Sequence, residues 1–324
     1  MCTAAAFVTK DFYFGRTLDY EMSYGEEAVI VPRNFRIAFP NIEKKISVHP
    51  AYIGMAHVDD NYPLMYEGMS EKGLAIAALN FVGFAKYSSP MPDKFNLAPH
   101  EVIPFVLCQC STVKQATELL GRCNIINSAY KDYPVGELHW IISDKDGTAT
   151  LECTAAGMNI YDNCAGLLTN NPEYPQQMSH LNNYMNLSNK EPKNNFCSAL
   201  PLKAYSHGMG AIGLPGDLSS ESRFVRAAFV KSNSVCGDSE NESVNQFFHI
   251  LGSVEQQKGC CDLGDGRYQY TYYTSCCNCS KGLYYYTTYD NHQISAIDMH
   301  RANLNSDKLI RYTLRTAEQI FRQN

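Results

Sequence analysis

The chain has 324 residues, 45% of them hydrophobic and 19% charged, with 22 Tyr and 15 Phe; this is the composition of a globular protein rich in β-structure and excludes a disordered or fibrous one. Its net charge of −6 comes from 27 Lys and Arg against 33 Asp and Glu, without any basic run, which argues against a nucleic-acid partner. No window approaches the roughly 18 consecutive apolar residues of a membrane span, and the first residues lack the layout of a signal peptide, so a soluble cytoplasmic protein with no membrane partner is expected.

In chain order, residues 4–8 and 12–14 are expected to form two strands joined by a turn at Thr9-Lys10-Asp11, a hairpin that sets Cys2 at a strand start. Residues 28–32 make another strand, ended by Pro32. Two more follow at 51–57 and 73–81, and the second is apolar nearly throughout, the mark of burial on both faces. Helical spacing appears at 100–108, and Ser111 is placed to cap a helix carrying Val113, Ala116, Leu119 and Leu120 on one face. Strands resume at 138–142, 148–153, 158–161 and 167–169. Helices are expected at 179–187, 221–232 and 243–251, then strands at 268–273, 283–289, 293–299 and 309–314. No repeat or low-complexity linker divides the chain, so residues 1–324 read as a single domain. Blocks of strands alternating with blocks of helices suit antiparallel sheets covered by helices, an α+β rather than a βαβ architecture.

The 13 cysteines are an odd number in a large chain without an export signal, which fits reduced thiols better than a disulfide framework. The densest group is Cys260-Cys261 with Cys276-Cys277-x-Cys279. These spacings are adjacent or one apart, unlike the paired units of a tetrahedral zinc site, and neighbours on a strand point to opposite faces. Free thiols and no metal are expected.

Chemistry gathers at the start of the chain. With Met1 removed, which the small second side chain permits, Cys2 carries a thiol and a free α-amino group on one residue. Such an amine titrates at roughly 7.7–8.0 and a thiol at about 8.5, so one residue offers a nucleophile and a base near neutral pH. A cationic Arg16 returning beside Cys2 would stabilise negative charge on sulfur, and Asp19 could hold the amine. Gly15-Arg16-x-x-Asp19 also reads as a turn followed by a surface ion pair.

Further candidates stand at strand and helix ends. Asn80 closes a buried strand, as a turn residue or as a donor to a developing oxyanion. Asn170, in Thr169-Asn170-Asn171-Pro172, carries the same two readings. In Ser219-Ser220-Glu221-Ser222-Arg223-Phe224-Val225-Arg226, Arg223 is either a solvated charge or, inside a cleft, a permanent planar donor. With an α-amino base available no histidine is required, and His139 reads as structural.

Met1-Cys2-Thr3, Phe14-Gly15-Arg16-x-x-Asp19, Leu79-Asn80-Phe81, Leu138-His139-Trp140, Leu168-Thr169-Asn170, Gly213-x-Pro215-Gly216-Asp217 and Ser222-Arg223-Phe224, in this order, resemble the choloylglycine hydrolase family of bile salt hydrolases and penicillin V acylases. Tyr273-Thr274-Ser275-Cys276 and Tyr284-Tyr285-Tyr286-x-x-Tyr289 extend the resemblance nearly end to end. It implies the N-terminal nucleophile hydrolase fold, a four-layer αββα sandwich of two antiparallel sheets flanked by helices. It implies Cys2 as nucleophile after loss of Met1, Arg16 and Asp19 organising thiol and amine, Asn80 and Asn170 at the oxyanion, and Arg223 near the reacting centre. Penicillin V acylases typically carry Tyr where Asn80 stands, so the resemblance leans toward a small-molecule substrate, a conjugated bile salt. It calls for no cofactor and implies a homotetramer.

A steroid needs a concave apolar surface, and Leu18, Met22, Tyr24, Tyr62, Tyr130 and Val135 are the candidates for it, each also readable as packing on its own neighbours. Two alternatives stand beside this reading: an acylase for penicillin V or another N-acyl amide, and a non-catalytic sterol-binding or thiol-rich metal protein that keeps Met1.

Overall fold

A computed structural model describes residues 1–42 and 44–324. Two antiparallel sheets lie face to face. The first has six strands in the order Leu167–Leu168, Cys2–Val8, Phe12–Tyr20, Tyr270–Asn278, Leu283–Thr288 and Asn291–Asp298. The second runs Gly157–Asp162, Thr148–Thr154, Leu138–Ser143, Ala75–Asn80, Glu67–Ser70, Tyr52–Asp59, Glu27–Val31 and Ile310–Thr313, with Tyr62–Met65 paired on Tyr52–Asp59. Helices Ser220–Asn233 and Glu240–Gly252 cover the first sheet through Phe224, Ala227, Val244, Phe247, Ile250 and Leu251. Helices Val102–Leu107 and Val113–Leu120 cover the second. The result is the four-layer αββα sandwich that the family resemblance implied.

Strand Ala75–Asn80 shows why its sequence lacks alternation. Ala75, Ala77 and Leu79 pack toward the first sheet, and Ile76 and Ala78 join the core under the helices; both faces exclude water, so both are apolar. The first two strands form the expected hairpin, Cys2–Val8 paired with Phe12–Tyr20 in the register Cys2↔Leu18, Thr3↔Thr17 and Ala4↔Arg16. Gly15 is needed for close approach: a Cβ there would come within 2.0 Å of the Ser275 carbonyl oxygen on the neighbouring strand.

Some boundaries move for identifiable reasons. Thr112, not Ser111, caps helix Val113–Leu120, its hydroxyl accepting from Gln115 N at 3.2 Å, while Ser111 N donates to the Gln115 side chain. The helix expected at 179–187 begins earlier, as Tyr174–Leu181 with Pro175 in its first turn, where the fixed proline φ is favoured. Strand Tyr270–Asn278 extends past the expected end because Cys276 and Cys277 are buried in the core. Among the described residues every cysteine is unpaired, no group of three His, Cys, Asp or Glu side chains is placed to hold a metal ion, and no helix is long and apolar enough to cross a membrane.

Candidate active site

The hairpin register builds the site. In antiparallel pairing, residues opposite or diagonal on one face are neighbours, so Cys2, Ala4, Arg16 and Leu18 share one face of the pair while Thr3, Thr17 and Asp19 share the other. On the first face Arg16 reaches diagonally to Cys2, its Nη2 donating to Cys2 Sγ at 2.6 Å. The rest of the guanidinium is tied down: Nη1 donates to the carbonyls of Ala78 at 2.5 Å and Tyr66 at 3.2 Å on the second sheet, and Nε to Thr17 O. Burial alone would favour its neutral form, but Cys2, Tyr273, Glu67 and Asp19 hold Arg16 above its ordinary value. The cation therefore stays charged against the sulfur.

On the opposite face Asp19 is fully buried. Its Oδ1 accepts from Thr271 Oγ1 at 2.6 Å, and its Oδ2 from Thr17 Oγ1 at 3.2 Å and Gln256 Nε2 at 3.4 Å. Met1 extends the pairing, its amine donating to Asp19 O at 2.6 Å while Asp19 N donates back to Met1 O at 2.9 Å. Burial pulls that amine below its ordinary value, against the opposing pull of Cys2 and Asp19.

A second set of groups fixes the Cys2 backbone. Cys2 N donates to Asn170 Oδ1 at 2.8 Å, and Arg223 Nη2 donates to the same oxygen at 2.7 Å. Arg223 Nη1 reaches Cys2 O at 2.5 Å and Thr3 Oγ1 at 2.7 Å, and its Nε reaches Leu218 O. Arg223 is wholly buried because it lies in the first turn of helix Ser220–Asn233, capped by Ser219, with that turn set against the start of the first strand. Burial lowers its pKa, opposed by Asp19 and Cys2. Asn170 is pinned in turn: its N donates to Ser220 Oγ, Gln177 Nε2 donates to its carbonyl, and its Nδ2 donates to Asn80 O at 2.7 Å.

Above Cys2 opens a cavity lined by Cys2, Arg16, Leu18, Tyr20, Tyr24, Leu64, Met65, Asn80, Tyr130, Pro134, Val135 and Leu138, with His57, Tyr66, His100, Ser128 and Tyr133 among them. Alternate residues of one strand, Arg16, Leu18 and Tyr20, face it. His57 Nε2 and the Tyr133 hydroxyl are hydrogen-bonded at 3.1 Å, and burial lowers His100 to about 4, which leaves the His100 ring uncharged at neutral pH.

Of the residues singled out from sequence, Cys2, Arg16, Leu18, Asn80, Tyr24, Tyr130 and Val135 line the cavity, and Asp19, Asn170 and Arg223 pack beneath it. Two stand off it. Met22 is half exposed on the loop after the hairpin strand, and the Tyr62 ring stacks behind Tyr130 at 5.2 Å with its hydroxyl buried. His139 is also outside the lining: its ring stacks on Phe81 at 4.3 Å and bridges Glu152 and the Thr169 carbonyl. Sequence reading missed Thr271, Gln256, Ser220 and Gln177, which hold Asp19 and Asn170, and the wall residues His57 and His100. Only the histidines, sparse in an apolar neighbourhood, carried a signal.

Residues 2–312 match the family model for linear amide C–N hydrolases of the choloylglycine hydrolase family. The chain belongs to the choloylglycine hydrolase family. A bile salt hydrolase/transferase of Lactiplantibacillus plantarum is 47% identical over 325 residues, covering 100% of both chains. One from Clostridium perfringens is 36% identical over 322 residues and 96% of each chain. A solved mutant conjugated bile acid hydrolase from Clostridium perfringens superposes with a TM-score of 0.91 at 34% identity over 100% of both chains. Penicillin V acylase from Agrobacterium tumefaciens shares the fold, with a TM-score of 0.76 at 20% identity over 97% of this chain and 92% of its own. The Cys2 thiol and the Arg16 guanidinium meet at the floor of the cavity.

Proposed function

We propose that the protein is a bile salt hydrolase that cleaves the amide bond of glycine- or taurine-conjugated bile salts through a thioester on Cys2. The observation that carries this reading is the 2.6 Å contact of Arg16 with Cys2 Sγ at the floor of a largely apolar cavity. The names borne by relatives that match over the full length support it.

Loss of Met1 turns the Cys2 nitrogen, held by Asn170 Oδ1, into a free amine. The Cys2 thiolate attacks the amide carbonyl, forming the C–S bond. Asn80, which faces the cavity, and the remaining Nδ2 hydrogen of Asn170 meet the negative charge on oxygen. The C–N bond breaks as the α-ammonium gives its proton to the departing glycine or taurine nitrogen. The same amine then takes a proton from water, which attacks the thioester and releases the bile acid and the thiol. Arg16 stabilises the thiolate, while Arg223 and Asp19 fix the Cys2 backbone and the adjoining strand. The steroid rests on Leu18, Tyr24, Tyr130 and Val135.

The chain further works as a homo-oligomer, a tetramer by family resemblance. What supports self-association is the stretch between helices Tyr174–Leu181 and Ser220–Asn233, which exposes Met185, Phe196, Leu202, Tyr205 and Ile212, a run of apolar side chains of the kind interfaces cover.

Steady-state turnover of glycocholate, taurocholate and penicillin V tests the function. The expected kcat/KM for at least one conjugated bile salt exceeds that for penicillin V by about 100-fold or more, a ratio within reach of pocket discrimination. A preference for penicillin V would overturn the assignment.

A further inference from the structure

A buried carboxyl that feels the charge of Arg16 takes no part in the steps above. Glu67 opens strand Glu67–Ser70, is fully buried and does not line the cavity. Its Oε2 accepts from the Tyr273 hydroxyl at 2.7 Å and its Oε1 from the Tyr284 hydroxyl at 2.6 Å. The tyrosines belong to adjacent strands of the first sheet and Glu67 to the second, so the carboxyl is clasped across the interior of the sandwich.

A carboxylate is an acceptor only, and a hydroxyl donor on each oxygen is the setting that an ionised acid needs. Arg16 bonds to the carbonyl of Tyr66, the residue before Glu67. Burial pushes the Glu67 carboxyl up, against the charge of Arg16 and hydrogen bonds from Tyr284, Tyr273 and Ser275. The titratable groups around it are Arg16 on the hairpin strand, Tyr273 and Cys277 on the next strand, Tyr284 beyond, and Tyr66 beside it.

We propose that Glu67 is a positioning residue for the hydrolase: its carboxylate, clasped by Tyr273 and Tyr284, is the fixed buried negative charge that offsets the pull of the Arg16 guanidinium on Cys2 and so sets the pH range in which Cys2 works. The inference rests on Cys2 being the nucleophile. The guanidinium itself is held in place by the Thr17, Tyr66 and Ala78 carbonyls, so removing the Glu67 charge changes the field at Cys2 rather than the seat of Arg16. A fixed negative charge in a low-dielectric interior also makes every neighbouring group harder to deprotonate, thiol and amine alike.

The test is the pH profile of kcat/KM on glycocholate for the native enzyme and Glu67→Gln. Without the negative charge both limbs are expected to move to lower pH, by about one unit, with kcat reduced and KM changed less than about twofold because Glu67 touches no substrate. Should Glu67→Gln fail to fold, the Tyr273→Phe/Tyr284→Phe double variant replaces it: stripped of both donors, the carboxylate is less stabilised and takes up a proton more readily, and the profile moves the same way. A folded, active variant whose profile stays put, or moves to higher pH, overturns the proposal. A native enzyme without activity on any conjugated bile salt would count against the proposed function instead.

Discussion

The floor of the cavity and its wall are built on opposite principles. Beneath Cys2, Arg16, Asp19, Asn170 and Arg223 are buried, and each makes at least three hydrogen bonds, most of them to groups from other parts of the sandwich. The wall consists of aromatic and aliphatic side chains, many from loops, with Tyr24 exposed, the His100 and Tyr130 rings edge to face, and the Tyr62 ring stacked behind Tyr130. A reacting centre must hold its groups to within a fraction of an ångström, which rigid strands and redundant bonds supply. An apolar ligand needs area and shape, which loops can provide with far less precision.

Substitutions should therefore separate the two regions, rate from the floor and affinity from the wall. The largest effect is expected from Cys2→Ala. Loss of the nucleophile should lower kcat on glycocholate by about 10⁵-fold or more, while thermal unfolding stays near that of the native protein. Residual turnover within tenfold of native would break the distinction at its base. Asn170→Ala removes the partner of Cys2 N and Arg223 and, in the proposed mechanism, an oxyanion donor; a donor is worth on the order of 3 kcal/mol, so kcat should fall by about 10²-fold or more. An unchanged rate would remove Asn170 from the site.

The wall should answer differently. Tyr130→Ala deletes a ring stacked on Tyr62 and is expected to raise KM about tenfold with kcat nearly constant; steady-state kinetics on taurocholate checks it, and a fall in kcat alone would place Tyr130 with the floor. The smallest effect concerns His100. With the folded value lowered by burial to about 4 from an ordinary 6.5, the unfolded chain binds a proton between those limits that the folded one refuses. Its contribution therefore makes stability fall as pH drops through that window. His100→Gln should flatten this part of the dependence of Tm on pH, and an identical slope in both proteins would show that His100 is not the group responsible.

Much of the floor was legible in the sequence because its origin is local. Cys2, Arg16 and Asp19 sit on one hairpin, and hairpin register together with the two-residue pleat decides which of them share a face. Asn80 and Asn170 stand at strand ends, where polar residues are conspicuous against apolar runs. The bonds that lock these residues were not legible. Gln177, Ser220, Gln256 and Thr271 reach the site from a helix, a helix terminus, a loop and a distant strand, and nothing in their own neighbourhoods marks them. Met22 and Tyr62 failed as wall candidates for a related reason: on a loop or an edge strand, nearness in sequence to the site does not determine where a side chain points. The Ser111 cap missed by one residue because adjacent Ser and Thr are equally able to cap, and only the backbone geometry selects between them.

The dependence of the whole scheme on Met1 remains the sharpest point of attack. Intact-mass spectrometry of the active enzyme, before and shortly after mixing with glycocholate and quenching in acid, measures both the N-terminus and the intermediate. The expected result is a chain lacking Met1, with a transient added cholyl mass that maps to Cys2. Full turnover by protein that retains Met1, or a cholyl adduct on any other residue, would contradict Cys2 as an N-terminal nucleophile.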